Sequence, residues 1–247
     1  MDWLLPDWPA LPHIHAATTL RTGGVSRGPY RSWNLATHVG NDPEAVAANR
    51  TLLKQRLELP GEPHWLNQTH GSRTIEIRPR KETGGCDADL PPVADASFTC
   101  FPETVCVVLT ADCLPILLTD GHTVAAVHGG WRGLLSGILD NALTSPPWRK
   151  PLLAWLGPAI GPRAFEVGAE VKEAFTARNP VFAKAFHPSG DRFLADLYHL
   201  AGIILRRHGV TAIHGGGFCT YSDAGRFFSY RRDGVCGRMA TLIWRRG

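Results

Sequence analysis

The stretch Glu103-Thr-Val-Cys-Val-Val-Leu-Thr-Ala-Asp-Cys113-Leu-Pro-Ile-Leu-Leu-Thr-Asp-Gly-His-Thr123-Val-Ala-Ala-Val-His128 decides the fold class. It contains three apolar runs of strand length, 103–109, 114–119 and 123–128, separated by short polar breaks. The runs are apolar almost throughout instead of alternating, which suits a sheet covered on both faces. Further strand-like runs lie at 152–156, 212–218 and 239–244.

Helical signals fill the gaps. Asp42-Pro43-Glu44 supplies an N-cap, a proline at the first helical position and an early acid, and Val46, Leu53 and Leu57 then share an apolar face. A second helix follows Gly129-Gly130, with Leu134, Leu135, Ile138, Leu139 and Ala142 on one side. A third runs from about 168 to 178, and a fourth carries Leu194, Leu197, Ala201, Ile204 and Leu205 and stops at Gly209. Helices interleaved with buried strands predict an α/β (or α+β) fold. With no linker, repeat or low-complexity tract, a single domain over residues 1–247 is expected.

Composition excludes several classes. The chain is 44% hydrophobic and 19% charged, as in an ordinary folded protein. Its net charge of +4 owes part of its excess to Arg231, Arg232, Arg238, Arg245 and Arg246. These read as solvated arginines; aromatics do not alternate with them as a base-stacking platform requires, so no nucleic-acid partner is expected. No run approaches the roughly 18 apolar residues of a membrane span, and Met-Asp-Trp-Leu-Leu-Pro is no signal peptide. The six cysteines are therefore read as reduced thiols, in a cytoplasmic protein without membrane contact.

Three segments place reactive side chains where an apolar run breaks: Gln68-Thr-His70-Gly71, Thr110-Ala-Asp-Cys113-Leu-Pro115 and His128-Gly-Gly-Trp-Arg132-Gly133. Two imidazoles and a thiolate suit Zn²⁺, with a fourth position left open. Such a zinc lowers the pKa of bound water to about 7. The spacing matches no short zinc-finger pattern, and the alternative reading from residues alone is a buried thiol and two histidines satisfied by backbone hydrogen bonds. The other histidines, His15, His187 and His214 among them, read as loop or helix-surface residues, with His38 held back as a cleft candidate. The glycine-rich loop Arg21-Thr-Gly23-Gly24-Val-Ser26 reads either as an anion cradle, with Arg21 supplying charge, or as an ordinary turn. Arg50 on the first helix reads as a surface salt bridge or an anion ligand. Phe227-Phe228-Ser-Tyr230-Arg231-Arg232 reads as a core strand with a basic exit, or as rings for stacking on a base.

Taken in order, Arg21-Thr-Gly-Gly-Val-Ser, Asn34-Leu35, His38-Val-Gly, Asn49-Arg50, Gln68-Thr-His70-Gly and Ala94-Asp95-Ala96 form one set. Thr110-Ala-Asp-Cys113-Leu-Pro, His128-Gly-Gly-Trp-Arg132-Gly, Leu156-Gly-Pro-Ala-Ile-Gly-Pro162, Phe165-Glu166-Val-Gly, Cys219-Thr220, Phe227-Phe-Ser-Tyr-Arg-Arg and Gly237-Arg238-Met-Ala complete it. The set resembles the laccase-domain, or YfiH-type, family from about residue 14 to 244. The resemblance implies a layered α/β/β/α sandwich and a catalytic zinc site made by His70, Cys113 and His128. It implies purine nucleoside phosphorylase activity on adenosine, inosine, guanosine and methylthioadenosine with phosphate, together with adenosine deamination. An older description as polyphenol oxidase and a role in editing peptidoglycan precursors also attach to the family. Arg21, Gly23, Gly24, Asn34, Arg50 and Gln68, all in matching motifs, are the candidate substrate and phosphate residues. Gly129, Arg163, Trp33 and Cys236 stand where the family usually has Ala, Cys, Leu and Thr.

True laccase chemistry needs about four copper ions bound largely through His-x-His pairs, and only His13-Ile-His15 has that form. Copper would bind one N/S site tightly but adventitiously. The alternatives to a zinc phosphorylase are a metal-free cysteine hydrolase using Cys113 and His128, possible on peptidoglycan precursors, and a non-catalytic protein stapled by zinc.

Overall fold

The three decisive runs form strands with every residue buried, the first in one sheet and the other two paired in a second. The computed structural model describes residues 2–79 and 90–247. In chain order the strands are β1 (Trp3–Leu4), β2 (Ile14–Thr19), β3 (Thr74–Glu76), β4 (Ala96–Thr99), β5 (Cys106–Thr110), β6 (Leu114–Thr119) and β7 (Val124–Gly129). They continue as β8 (Leu153–Leu156), β9 (Glu166–Val167), β10 (Phe186–Ser189), β11 (Arg192–Ala195), β12 (Ala212–Gly215) and β13 (Met239–Arg245). The helices are α1 (Pro43–Arg56), α2 (Trp131–Ser136), α3 (Ile138–Thr144), α4 (Ala169–Arg178), α5 (Leu197–Arg207) and α6 (Tyr230–Asp233).

The strands make a four-stranded sheet, β1-β2-β13-β5, and a six-stranded sheet, β12-β8-β6-β7-β4-β3, with β10-β11-β9 as a small third. Because successive side chains of a strand point to opposite faces, each central strand feeds two cores. Cys106 and Val108 of β5, Leu117 of β6, Val124 and Ala126 of β7 and Ile243 of β13 meet between the two large sheets. Val107 and Leu109 of β5 and Leu242 and Trp244 of β13 face outward, under Leu53 of α1. On the far side Leu114, Ile116 and Leu118 of β6 and Val127 of β7 pack beneath α2–α5 through Leu134, Ile138, Leu139, Val171 and Leu200. The layers run helix, sheet, sheet, helices, the α/β/β/α sandwich that the resemblance implied. Two covered faces explain the continuous apolar runs.

Several boundaries differ from the sequence reading. The helix after Gly130 is two helices, because Gly137 at φ 91° caps α2 in the left-handed region. Leu194 belongs to β11, which pairs with β10 and β9, and α5 begins only at Leu197. The run at 212–218 is strand only to Gly215, where Gly215, Gly216 and Gly217 all take positive φ. Ile14–Thr19 was not anticipated as a strand, and Phe227-Phe228 are buried in a loop, not in a strand. His15 lies in β2, with its ring stacked 5.5 Å from that of Trp244, and His187 and His214 also lie in strands.

The C-terminal arginines are less free than expected. Arg232 donates to the carbonyls of Thr220, Tyr221 and Phe227, and Arg245 donates to that of Cys100. Among the described residues five cysteines are free thiols, Cys86 lying outside them. No described helix is long and apolar enough to cross a membrane.

Candidate active site

Register sets the first two functional side chains. Pairing of Leu114 with Gly129 and Pro115 with His128 puts Cys113, just before β6, beside the end of β7. His70 arrives from the loop after residue 67, which bridges to Val93. His70, Cys113 and His128 contribute ligand atoms that all lie within 4.8 Å of one another. Cys113 Sγ is 3.6 Å from His70 Nε2, and the two imidazole centroids are 4.7 Å apart at a steep angle. His70 is exposed, Cys113 half-buried and His128 buried, so the cluster opens on the His70 side. Three convergent N, S and N donors with one open side can hold a metal ion.

Asp95 organises both histidines. Its side chain is fully buried; one oxygen accepts from His128 Nδ1 at 2.8 Å and from the His70 amide at 2.9 Å. The other accepts from the Gly71 amide at 2.8 Å and the Thr69 amide at 3.1 Å. With Nδ1 donating to the carboxylate, His128 turns Nε2 toward Cys113, the orientation a metal-binding imidazole needs. The same bonds fix the backbone of His70, which sits at φ 60°. Burial would raise the Asp95 pKa, but the His128 hydrogen bond and the Gly71 and Thr69 amides hold it below the usual carboxylate value.

The turn carrying Cys113 is tied down as well. Asp112, at φ 95°, accepts from the Thr220 hydroxyl at 2.6 Å and the Arg231 amide at 2.7 Å. Its carbonyl accepts from the Ile160 amide at 2.9 Å. Neither aspartate was given a role from sequence, although each stands as a lone carboxylate in an apolar motif. Gly130 was also passed over: a Cβ there would lie 2.9 Å from His70 Cδ2 and 3.0 Å from Cys113 Sγ.

Burial opposes charge on Cys113, yet the His128 charge and hydrogen bonds from both imidazoles bring its pKa down to about 6. Burial likewise opposes charge on His128, but the thiolate and Asp95 raise it to about 9. Without metal the pair is therefore thiolate and imidazolium at neutral pH. Iodoacetamide should alkylate Cys113 in metal-stripped protein at a rate that climbs through about pH 6 and then levels. A thiol of ordinary pKa, about 8.5, would still be climbing there. Mass spectrometry of the Cys113 peptide across pH measures this, and added metal should protect the thiol.

The remaining sequence candidates fall into separate groups. Arg50 lays its guanidinium 3.9 Å from the Trp65 ring centre and donates Nε–H to Leu35, where a surface salt bridge was one expectation. Burial lowers its pKa to about 10, so it stays charged at neutral pH. The His38 pKa is pulled down first by burial and then by the Arg238 and Arg50 charges, so its ring is neutral at neutral pH. Arg21 lines a different cavity, of about 410 Å³, with Thr22, Arg31, Ser32 and Ala224. Gly23, at φ 102°, accepts from Arg56, and the Gly24 amide donates to Ser32. Asn34 is buried and bonds Ala36, Asn41 and the Arg238 amide. Gln68 donates to and accepts from the Leu109 backbone at 2.9 and 2.7 Å. Of the four departures from the family pattern, Trp33 is core, Cys236 is buried and Arg163 is exposed in a turn. A Cβ at Gly129 would meet the Leu114 carbonyl at 2.8 Å.

Known proteins resemble this chain along nearly its whole length. A Pseudomonas aeruginosa protein named purine nucleoside phosphorylase is 50% identical, with 98% of each chain covered. Escherichia coli purine nucleoside phosphorylase YfiH is 47% identical, again with 98% of each covered. The crystal structure of Neisseria meningitidis protein NMB0706 superposes with a TM-score of 0.91 at 45% identity, covering 100% of both chains. The family model described as multi-copper polyphenol oxidoreductase laccase matches residues 15–246, and with these relatives it shows that the chain belongs to that laccase-domain, YfiH-type family.

Proposed function

We propose that the protein is a cytoplasmic, single-domain, zinc-dependent purine nucleoside phosphorylase that also deaminates adenosine. Its substrates on this reading are adenosine, inosine, guanosine and methylthioadenosine, with phosphate. The observation that carries it is the His70, Cys113 and His128 donor set, its histidines oriented by Asp95, in a chain about half identical to a protein named for this activity. His70 Nε2, Cys113 Sγ and His128 Nε2 would hold the ion. When bound, zinc supplies a Lewis acid and lowers the pKa of a water to about 7.

The chain's own residues do the rest. Arg50, which stays charged and is joined to Arg238 through the Leu35 backbone, attracts the phosphate dianion and holds it for attack on C1′. Arg21 and Arg31 line a separate anion-suited cavity, whose walls do not include Gly23 or Gly24. Cleavage of the glycosidic bond passes through an oxocarbenium-like transition state, so a phosphate held near C1′ also offsets the developing positive charge. Asp95 keeps the His128 Nδ1 proton throughout and so keeps its Nε2 available to the ion.

A metal-free cysteine hydrolase is the second reading, favoured by the thiolate–imidazolium pair and by Asp95 behind His128, a nucleophile–base–orienter arrangement. It leaves His70, 3.6 Å from the thiol, without a task. The older copper oxidase description finds less support. Only one His/Cys donor cluster of this kind occurs among the described residues, and copper out-competes zinc at such sites, so dye oxidation by copper-loaded protein is expected as a side effect.

The deciding experiment is incubation of zinc-loaded protein with adenosine and with inosine, with and without phosphate, followed by chromatography. Phosphate-dependent release of adenine or hypoxanthine is the expected result. Absence of base release and of inosine formation from adenosine would overturn the proposal and favour a hydrolase acting on peptidoglycan precursors.

A further inference from the structure

The motif Phe227-Phe228-Ser229-Tyr230 offers three rings, and the structure withdraws two of them. Phe227 and Phe228 are completely buried, whereas Tyr230 is 60% exposed. Other rings near the site are also taken: Trp65 is covered by Arg50 and Trp131 by Arg132 at 4.4 Å. Tyr230 opens α6, a single turn capped by Ser229. The next residue, Arg231, donates its amide to Asp112, the neighbour of Cys113. This bond puts Tyr230 beside the turn that supplies the thiolate.

On its other side Tyr230 meets the cationic group. The Arg238 guanidinium is 5.6 Å from the Tyr230 ring centre and is pinned by donating to the carbonyls of Cys236 and Gly237. Leu35 joins Arg238 to Arg50: its amide donates to the Arg238 carbonyl at 3.3 Å, and its carbonyl accepts from Arg50 Nε–H at 3.0 Å. The wall therefore runs from Cys113 through Asp112 and Tyr230 to Arg238 and, across Leu35, to Arg50. An exposed aromatic face lies between metal-ligating side chains at one end and anion-attracting cations at the other.

We propose that Tyr230 is the surface on which the purine base of the substrate stacks, with Arg238 fixing the ring. The assignment rests on the nucleoside phosphorylase reading and deepens it. A base on Tyr230 lies toward Cys113, and its C1′ then faces the phosphate held by Arg50. An exposed ring with a cation at one side is suited to this task, because every purine presents a π-face on which it can stack.

Two measurements test it. In steady-state assays with inosine, Tyr230→Ala should raise KM for the nucleoside by roughly 5- to 150-fold, the range expected when a stacking partner is removed. KM for phosphate should stay within about twofold, and Tyr230→Phe should restore the nucleoside KM. In parallel, the fluorescence of 2-aminopurine riboside should be quenched on binding to wild type and to Tyr230→Phe, but not to Tyr230→Ala. Tyr221→Ala, which removes another exposed tyrosine of the same region, should bind like wild type.

Unchanged nucleoside KM and quenching in Tyr230→Ala would overturn the proposal. So would a Tyr221→Ala variant that reproduces the loss. Wild-type protein that quenches the probe through Tyr230 but releases no base would uphold the stacking site and remove the phosphorylase reading. Protein that binds no purine nucleoside at all would overturn both.

Discussion

Replacement of Asp95 by alanine should strip the protein of tightly held metal and of base release, and should lower its unfolding free energy by about 3–5 kcal/mol, the scale for breaking a buried charged pair. The carboxylate is buried and accepts from His128 Nδ1 and from the amides of Thr69, His70 and Gly71. Alanine leaves all these donors without an acceptor, and each orphan costs about 1–3 kcal/mol unless the loop moves to hydrate it. If the loop moves, His70 moves with it. Loss of an outer carboxylate behind a ligating histidine typically costs about 10–100-fold in metal affinity, and here both histidines depend on one carboxylate. Competition with a chromophoric chelator and urea unfolding measure the two effects. A variant that keeps wild-type metal affinity would show that the histidines are placed by something else.

The depressed pKa of Asp95 adds a pH signature. A carboxylate with a lowered folded-state pKa stabilises the fold above its unfolded pKa, and the contribution is lost as pH falls through the folded value. Wild-type protein should lose this contribution in acid, whereas the alanine variant has none to lose.

Gly130→Ala should separate the two effects. The glycine has φ −66° and ψ 153°, which any residue adopts, so alanine brings no backbone strain. Its methyl group, however, would stand 2.9 Å from His70 Cδ2 and 3.0 Å from Cys113 Sγ. Two ligands must move by several tenths of an ångström, while metal–ligand distances tolerate about 0.2 Å. Metal affinity should fall by at least about 100-fold, with unfolding free energy changed by no more than about 1–2 kcal/mol. Cobalt substitution gives a direct view, since the thiolate-to-cobalt charge-transfer band should be lost or shifted. A normal cobalt spectrum would mean that the cluster absorbs the methyl without displacement.

The sequence was informative wherever one residue type can meet only one need. Runs such as Leu114–Thr119, buried along their whole length, announced a sheet with two covered faces, and Asp42-Pro43 marked the start of α1. His70, Cys113 and His128 stood out as a set only through the family resemblance, because their spacing matches no short metal-binding pattern. What stayed hidden depended on contacts distant in sequence. Nothing local says that Asp95 serves His128, or that Asp112 meets Thr220 and Arg231. Ile14–Thr19 is as long as Leu114–Thr119, but Ile-His-Ala-Ala-Thr-Thr offers no continuous apolar run, and its partners β13 and β1 do not announce themselves locally. Arg50 looked like a surface residue until the fold laid Trp65 beneath it.

The bond between Gln68 and Leu109 protects more than the site. Strand β5 ends its sheet, and an uncovered end strand is a template onto which another chain can add. The segment before His70 occupies that template: the His64 amide donates to Val105, and the Gln68 amide group satisfies both the N–H and the C=O of Leu109. The loop that delivers His70 is thus also a cover for the open edge of β5. An intruding strand could pair with β5 only by displacing this segment, and with it His70. Disruption of the His70, Cys113 and His128 cluster and exposure of the β5 edge would be two outcomes of the same local opening.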